Sequence, residues 1–171
     1  MATASRPYMP GYGVRPAGEG SGLLPWSWAQ DKLRVSHDYW LGSVWPDGHP
    51  QLMPVWGVWA EEAFWFSTAG ASRKANNLAA NPRCTVAIDD ALDPVVLEGF
   101  AEVRSGEQDR LRFLELLNAK YNVSYGLEFL DGTTALCLKV RPTAAFGLLQ
   151  ADFTGSPTRW TFSQSADLQH P

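Results

Sequence analysis

The sequence predicts an α+β fold, an antiparallel sheet closed into a β-barrel and flanked by short helices. Three observations predict it. From about Tyr39 onward, apolar and polar residues alternate in short runs separated by turn residues. Two or three segments with helical spacing interrupt those runs. Six to eight strands in a chain of 171 residues would leave long open edges unless the sheet closed on itself.

Each element has its own warrant. Residues 1–24 are rich in Gly and Pro without periodicity and read as an irregular arm. "PWSWAQDKLRV" has apolar residues at helical spacing, with Pro25 where a first turn tolerates it. "YWLGSVW", "PQLMPVWGVW" and "FWFSTA" then read as three successive antiparallel strands, the first two joined at Asp47-Gly48, a hairpin signal. Pro54 cannot donate to a ladder, so it places its part of the second strand at an edge or a bulge. "SRKANNLAAN" is a short helix with Ser72 as N-cap, ended by Pro82. "RCTVAIDD" and "PVVLEGFAEVR" are two more strands. "SGEQDRLRFLELLNAKY" is the longest helix, with Leu111, Leu114 and Leu117 on one face and Lys120 off it. "TALCLKV", "AAFGLLQ" and "TRWTF" finish as separate strands, and residues 164–171 as a polar, frayed tail. Residues 25–163 thus form one domain.

Composition narrows the function classes. A net charge of -4 and a pI of about 5.3 argue against nucleic-acid binding through bulk positive charge. There is no apolar run long enough to span a membrane and no signal-peptide pattern, so a cytoplasmic protein is expected. Cys84 and Cys137, far apart in apolar runs, read as buried small hydrophobes. His37, His49 and His170 have no metal-ligand spacing. Eight Trp are present, six of them between residues 26 and 59: core, a slot for a flat ring system, or a sugar-binding face.

Chemistry concentrates in "FSTAGASRK". Ser67 and Thr68 offer hydroxyls at a strand end, the small residues after them let a ligand approach the backbone, and Ser72 opens a helix beside Arg73 and Lys74. A phosphate wants that combination of helix N-terminus, short hydroxyls and cations. The residues alone leave two readings open, an anion site or a capped helix whose cations face solvent.

Together with "GHPQLMPVWGVW", the segment "FWFST…SRKANNLAANPR" resembles the flavin-binding split barrels of the pyridoxamine 5'-phosphate oxidase-like superfamily, over about residues 35–145. The resemblance implies an FMN-binding split barrel, a homodimer, and FMN or the deazaflavin coenzyme F-420 in the groove between subunits. Thr68, Ser72, Arg73 and Lys74, with Ser67 beside them, would hold the cofactor phosphate. Pro54, Val55 and Trp56 would lie along the ring, with backbone N–H groups up to Gly57 facing its polar atoms, and Trp40, Trp45, Trp56 and Trp59 would shape a dry slot for a small planar conjugated substrate. His49 and Tyr39 are weak candidates for a proton donor. Arg159, beside Trp160, would reach a partner's cofactor or substrate, or else pair with a surface carboxylate.

The departures matter as much. The R-x-V-x-L-K pattern of true pyridoxamine-phosphate oxidases is replaced by "LMPVWG", and Arg159 stands alone where an Arg-rich C-terminal signature would be. Vitamin B6 oxidation is therefore not expected. The pattern is more like the flavin/deazaflavin oxidoreductase branch, with F-420 favoured slightly over FMN. The competing classes are a non-catalytic flavin- or haem-binding carrier or sensor, and a Trp-rich ligand-binding β module.

Overall fold

The computed structural model describes residues 1–163; the tail read above as frayed, 164–171, lies outside the described residues. In chain order the elements are β1 (Ala2–Ser5), α1 (Trp26–Val35), β2 (Asp38–Val44), β3 (Pro50–Ala60), β4 (Ala63–Thr68), α2 (Arg73–Ala80), β5 (Arg83–Ile88), β6 (Val95–Val103), α3 (Glu107–Tyr121), β7 (Leu136–Gly147) and β8 (Thr158–Phe162), with short 3-10 turns at Leu127–Leu130 and Gln150–Asp152.

All eight strands form one antiparallel sheet in the order β1-β8-β7-β4-β3-β2-β5-β6, and a further β7–β6 pairing closes six of them into a barrel. Closure satisfies the edges that an open sheet would expose. β7 makes it possible by changing partner along its length. Leu136–Val140 pair with β4 and Ala144–Gly147 with β8, while β6 runs along the other side. Here the structure departs from the sequence reading, since "TALCLKV" and "AAFGLLQ" are one strand and not two. Pro142, the apparent break, is absorbed by a register shift opposite Glu98 and Gly99.

The arm is also more ordered than its composition suggested. Ala2–Ser5 pair with β8, and the Arg6 guanidinium donates to the carbonyls of Pro16, Glu19, Gly155 and Pro157 at 2.8–3.3 Å. Asp152 accepts from the Ser21 N–H at 2.6 Å and pairs with Arg15 at 3.1 Å. A four-residue strand is too short to show a period, which is why it was not legible.

Two cores follow from strand alternation. Inside the barrel, Tyr39, Leu41, Val55, Trp59, Phe64, Phe66, Val86, Leu97 and Val140 pack with Leu33 of α1 and Leu78 of α2. Outside it, α3 lays Phe113, Leu114, Leu117 and Tyr121 over Val58, Ala63 and Trp65. Each buried apolar side chain of α3 contributes roughly 1.5–3 kcal/mol. Leu111, expected on that face, is 48 % exposed; the true stripe starts at Phe113.

Half of the Trp crowd joins the core: Trp59 is buried, and Trp26 and Trp28 pack against that core. Trp26 packs edge-on against Trp59 at 5.9 Å and tilted against Trp160 at 5.5 Å. Trp59 points into the barrel and cannot line a slot, which corrects that expectation. Cys84 and Cys137 are buried free thiols as expected, and burial pushes both thiols up to about 12. Among the described residues no helix is long and apolar enough to cross a membrane, and no cluster of metal ligands occurs.

Candidate functional site

β3 has two different halves. It pairs with β2 from Pro50 to Trp56, but with β4 only from Gly57 to Ala60. The polar backbone of Gly57 turns toward the β2 side, where it meets Tyr121. By strand alternation the backbone groups of Trp56 and Pro54 turn the other way, toward an edge that no described strand covers. Pro54 therefore loses no ladder bond, as expected of an edge proline. Leu52, Pro54 and Trp56 are exposed along this half, and Trp40 on β2 stands directly opposite Pro54.

The end of β4 leads into the second part of the site. Thr68 is buried, and its Oγ1 lies 3.0 Å from Ser72 Oγ. Ser72 caps α2 by accepting from the Ala75 N–H at 3.1 Å, so the expected N-cap is present. Between them the Ser72 N–H donates to Ala69 O at 3.0 Å, closing a tight turn. The space at Gly70 is tight, since a Cβ would lie 3.2 Å from Gly132 O and 3.3 Å from Thr133 O. Two hydroxyls and the N-terminus of an eight-residue helix thus meet at one point.

Two cations flank it. The Arg73 guanidinium lies over the Trp45 ring, 4.0 Å from its centroid, so the hairpin between β2 and β3 holds this side chain in place. Lys74 is half-buried, and desolvation lowers its pKa. Neither forms an ion pair among the described residues. The next turn of α2 reaches back to the hairpin. Asn77, fully buried, donates to Ser43 Oγ at 3.1 Å and to Gln51 Oε1 at 3.0 Å, while its own Oδ1 has no partner among the described residues. Asn77, Ser43 and Gln51 carry no motif, and the sequence did not single them out.

Of the predicted residues, Ser67, Thr68, Ser72, Arg73 and Lys74 come together around the start of α2, and Pro54, Val55, Trp56 and Gly57 follow one another on β3. Val55 points into the barrel, so only its backbone is available. Trp160 is not brought to the site, being buried with its indole N–H donating to Leu24 O at 3.1 Å. Arg159 pairs with Glu98 at 3.1 Å on the far side of β7.

The two proton-donor candidates sit in different surroundings. His49 closes the hairpin turn, its carbonyl accepting from the Trp45 N–H at 2.9 Å and its exposed ring 3.0 Å from Asp47. Tyr39 is wholly buried, its hydroxyl donating to Leu33 O, and burial followed by Tyr121 and Asp38 raises its pKa.

The sequence also missed a cluster on α3. Trp56 stacks on Tyr121 with centroids 4.4 Å apart and planes 6° from parallel, and the His37 ring meets Tyr121 edge-on at 5.0 Å. Lys120 Nζ lies 2.9 Å from Gly57 O and 2.7 Å from the Tyr39 hydroxyl. The signal available was the three- and four-residue spacing of Leu114, Leu117 and Tyr121, which puts Tyr121 on the buried stripe.

Hydroxyls, unpaired cations, a helix N-terminus and a free strand edge are a donor set suited to a phosphate joined to a flat polar ring. Solved structures share the architecture. An F420 reductase is 25% identical, covers 68% of this chain and 94% of its own, and superposes with a TM-score of 0.56. A conserved hypothetical protein of Mycobacterium tuberculosis (19% identity, 84% of this chain and 94% of that one, TM-score 0.62) and a FAD-binding protein of Mesorhizobium loti (15%, 81% and 96%, 0.59) share the fold. No curated protein matches the sequence. The sequence profile described as pyridoxamine 5'-phosphate oxidase matches residues 29–145, from within α1 to within β7, which takes in the whole of the site described. The chain belongs to the pyridoxamine 5'-phosphate oxidase family, a family of flavin-type oxidoreductases.

Proposed function

We propose that this chain binds F-420 or FMN and works as an oxidoreductase on a small planar conjugated substrate, as a homodimer with the cofactor at the subunit interface. The observation that carries the reading is the meeting of Thr68, Ser72, Arg73 and Lys74 at the start of α2, with both cations unpaired among the described residues. A helix N-terminus with two short hydroxyls and two cations beside it is a donor set that suits a phosphate. The free edge of β3 from Pro54 to Trp56 supports a ring lying beside that anion. F-420 is favoured over FMN by the 25% identity to an F420 reductase and by the apolar "LMPVWG" strand.

A bound flavin or deazaflavin supplies the hydride donor and acceptor. The chain's own residues do the rest. Thr68 and Ser72 hydroxyls, the first N–H groups of α2, Arg73 and Lys74 hold the phosphate. Backbone groups of Trp56 and its neighbours orient the ring. The exposed faces of Trp40 and Trp56 offer apolar walls that exclude water from a stacked substrate. The same exposed strip, with Leu52 beside it, supports a second copy closing the groove.

The test is quenching of intrinsic Trp fluorescence on titration with F-420 and, separately, with FMN. Saturable micromolar binding of one of them is expected; failure of both to bind rejects the reading. Binding without reduction of any planar acceptor would move the protein to the carrier or sensor class.

A further inference from the structure

The peptide of Gly57 is held in an unusual way. β2 stops pairing at Asp38 opposite Trp56, so Gly57 is the first residue of β3 with no ladder partner on that side. The Tyr121 hydroxyl takes the missing strand's place. It lies 2.9 Å from the Gly57 nitrogen, 2.9 Å from Gly57 O and 2.6 Å from His37 O. A phenol has one proton. The shorter contact takes it, so Tyr121 donates to His37 O and accepts from the Gly57 N–H. That leaves the Gly57 carbonyl to Lys120, whose ammonium donates to it at 2.9 Å and to the Tyr39 hydroxyl at 2.7 Å. Tyr39 is in turn consistent, since its own proton goes to Leu33 O.

We propose that Lys120 is a positioning residue of the cofactor site. With Tyr121 it fixes the Gly57 peptide, and through it the free edge of β3 at Trp56, in the orientation against which the ring rests. The inference rests on the cofactor-binding reading above. One further contact ties the clamp to the site: Trp56 stacks on the same Tyr121. Position 57 has room only for glycine, since a Cβ there would strike the Phe64 ring and lie 2.7 Å from Trp65 O.

The groups facing Lys120 are Tyr39 and Asp38 from β2 and Tyr121 from α3, with His37 behind Tyr121; β3 contributes only a carbonyl. Burial brings the ammonium down to about 8 against the opposing pull of Asp38. As pH rises through that value the charge-assisted bond to Gly57 O becomes an ordinary one, so the clamp loosens on the alkaline side.

Three proteins test this: wild type, Lys120→Met and Lys120→Arg. In the free protein, the Gly57 amide resonance is expected to titrate with a midpoint near pH 8 in wild type and to stay still in Lys120→Arg, which keeps its charge. Affinity for F-420 and for FMN, read by Trp quenching, is expected to fall about tenfold in Lys120→Met and to recover in Lys120→Arg. Wild-type affinity should weaken as pH rises through 8 relative to Lys120→Arg; Lys74, common to both, cancels in that comparison. Wild-type binding that is indifferent to both substitutions overturns the positioning role alone. Absence of binding by the wild type overturns the cofactor reading and the positioning role with it. If Lys120→Met does not fold, the wild-type and Lys120→Arg comparison decides, and a Gly57 amide that ignores pH in wild type overturns the clamp.

Discussion

Arg73 and Lys74 are neighbours in sequence but sit in different surroundings. Arg73 lies over Trp45, so its guanidinium is pre-placed and loses little rotamer freedom on meeting an anion. Lys74 is half-buried with its pKa lowered by desolvation, a cost that an incoming phosphate would offset. Replacing both with Ala should therefore weaken cofactor binding by roughly one to three kcal/mol for each charge-assisted bond lost. Titration calorimetry with F-420 or FMN checks it, and unchanged affinity would remove both residues from the phosphate site. Residue identity made this pair legible in the sequence. The roles of Lys120 and Tyr121 were not legible, because neither forms a motif and their meaning depends on where Gly57 lies.

At the level of elements, α2 and the β2–β3 hairpin behave as one unit. Ser72 caps the helix at one end, and Asn77 bonds to Ser43 and Gln51 of the hairpin further along. The arm is another unit, and Arg6 organises it. Its guanidinium serves carbonyls from residues 16–19 and 155–157, which would otherwise have to find solvent. Arg6→Ala should cost about 1–3 kcal/mol and open residues 6–24 to limited proteolysis, leaving the barrel intact. A cleavage pattern the same as wild type would show that β1 alone holds the arm.

On the scale of the whole molecule, closure leaves part of one face of the sheet open. α3 covers the outer face of β3 and β4 as far as Trp56, which stacks on Tyr121 yet stays 44 % exposed, and Trp40, Leu52 and Pro54 are exposed beside it. Exposed apolar residues gathered on one strip mark an interaction surface. The protein is expected to have the mass of a dimer by light scattering at micromolar concentration. A monomeric mass would refute the shared site, and the exposed strip would then need a different partner.

The sequence by itself determined the fold class and the elements from α1 to α3. Alternation in β2 to β6, the Asp47-Gly48 turn, the Ser72 cap and the stop at Pro82 are all local preferences, written within a few residues of where they act. It also marked the segment proposed here to hold a phosphate, since Thr68 to Lys74 follow one another along the chain. Only the tertiary structure decided which Trp are core and which line a surface. It also made β7 one strand through Pro142, took Trp160 out of the site, and brought Lys120 and Tyr121 to Gly57. The physical reason is the same in each case. Those outcomes depend on contacts between residues tens of positions apart, such as Tyr121 with His37 and Gly57, and a local pattern carries no information about which distant group completes a hydrogen bond or fills a packed space.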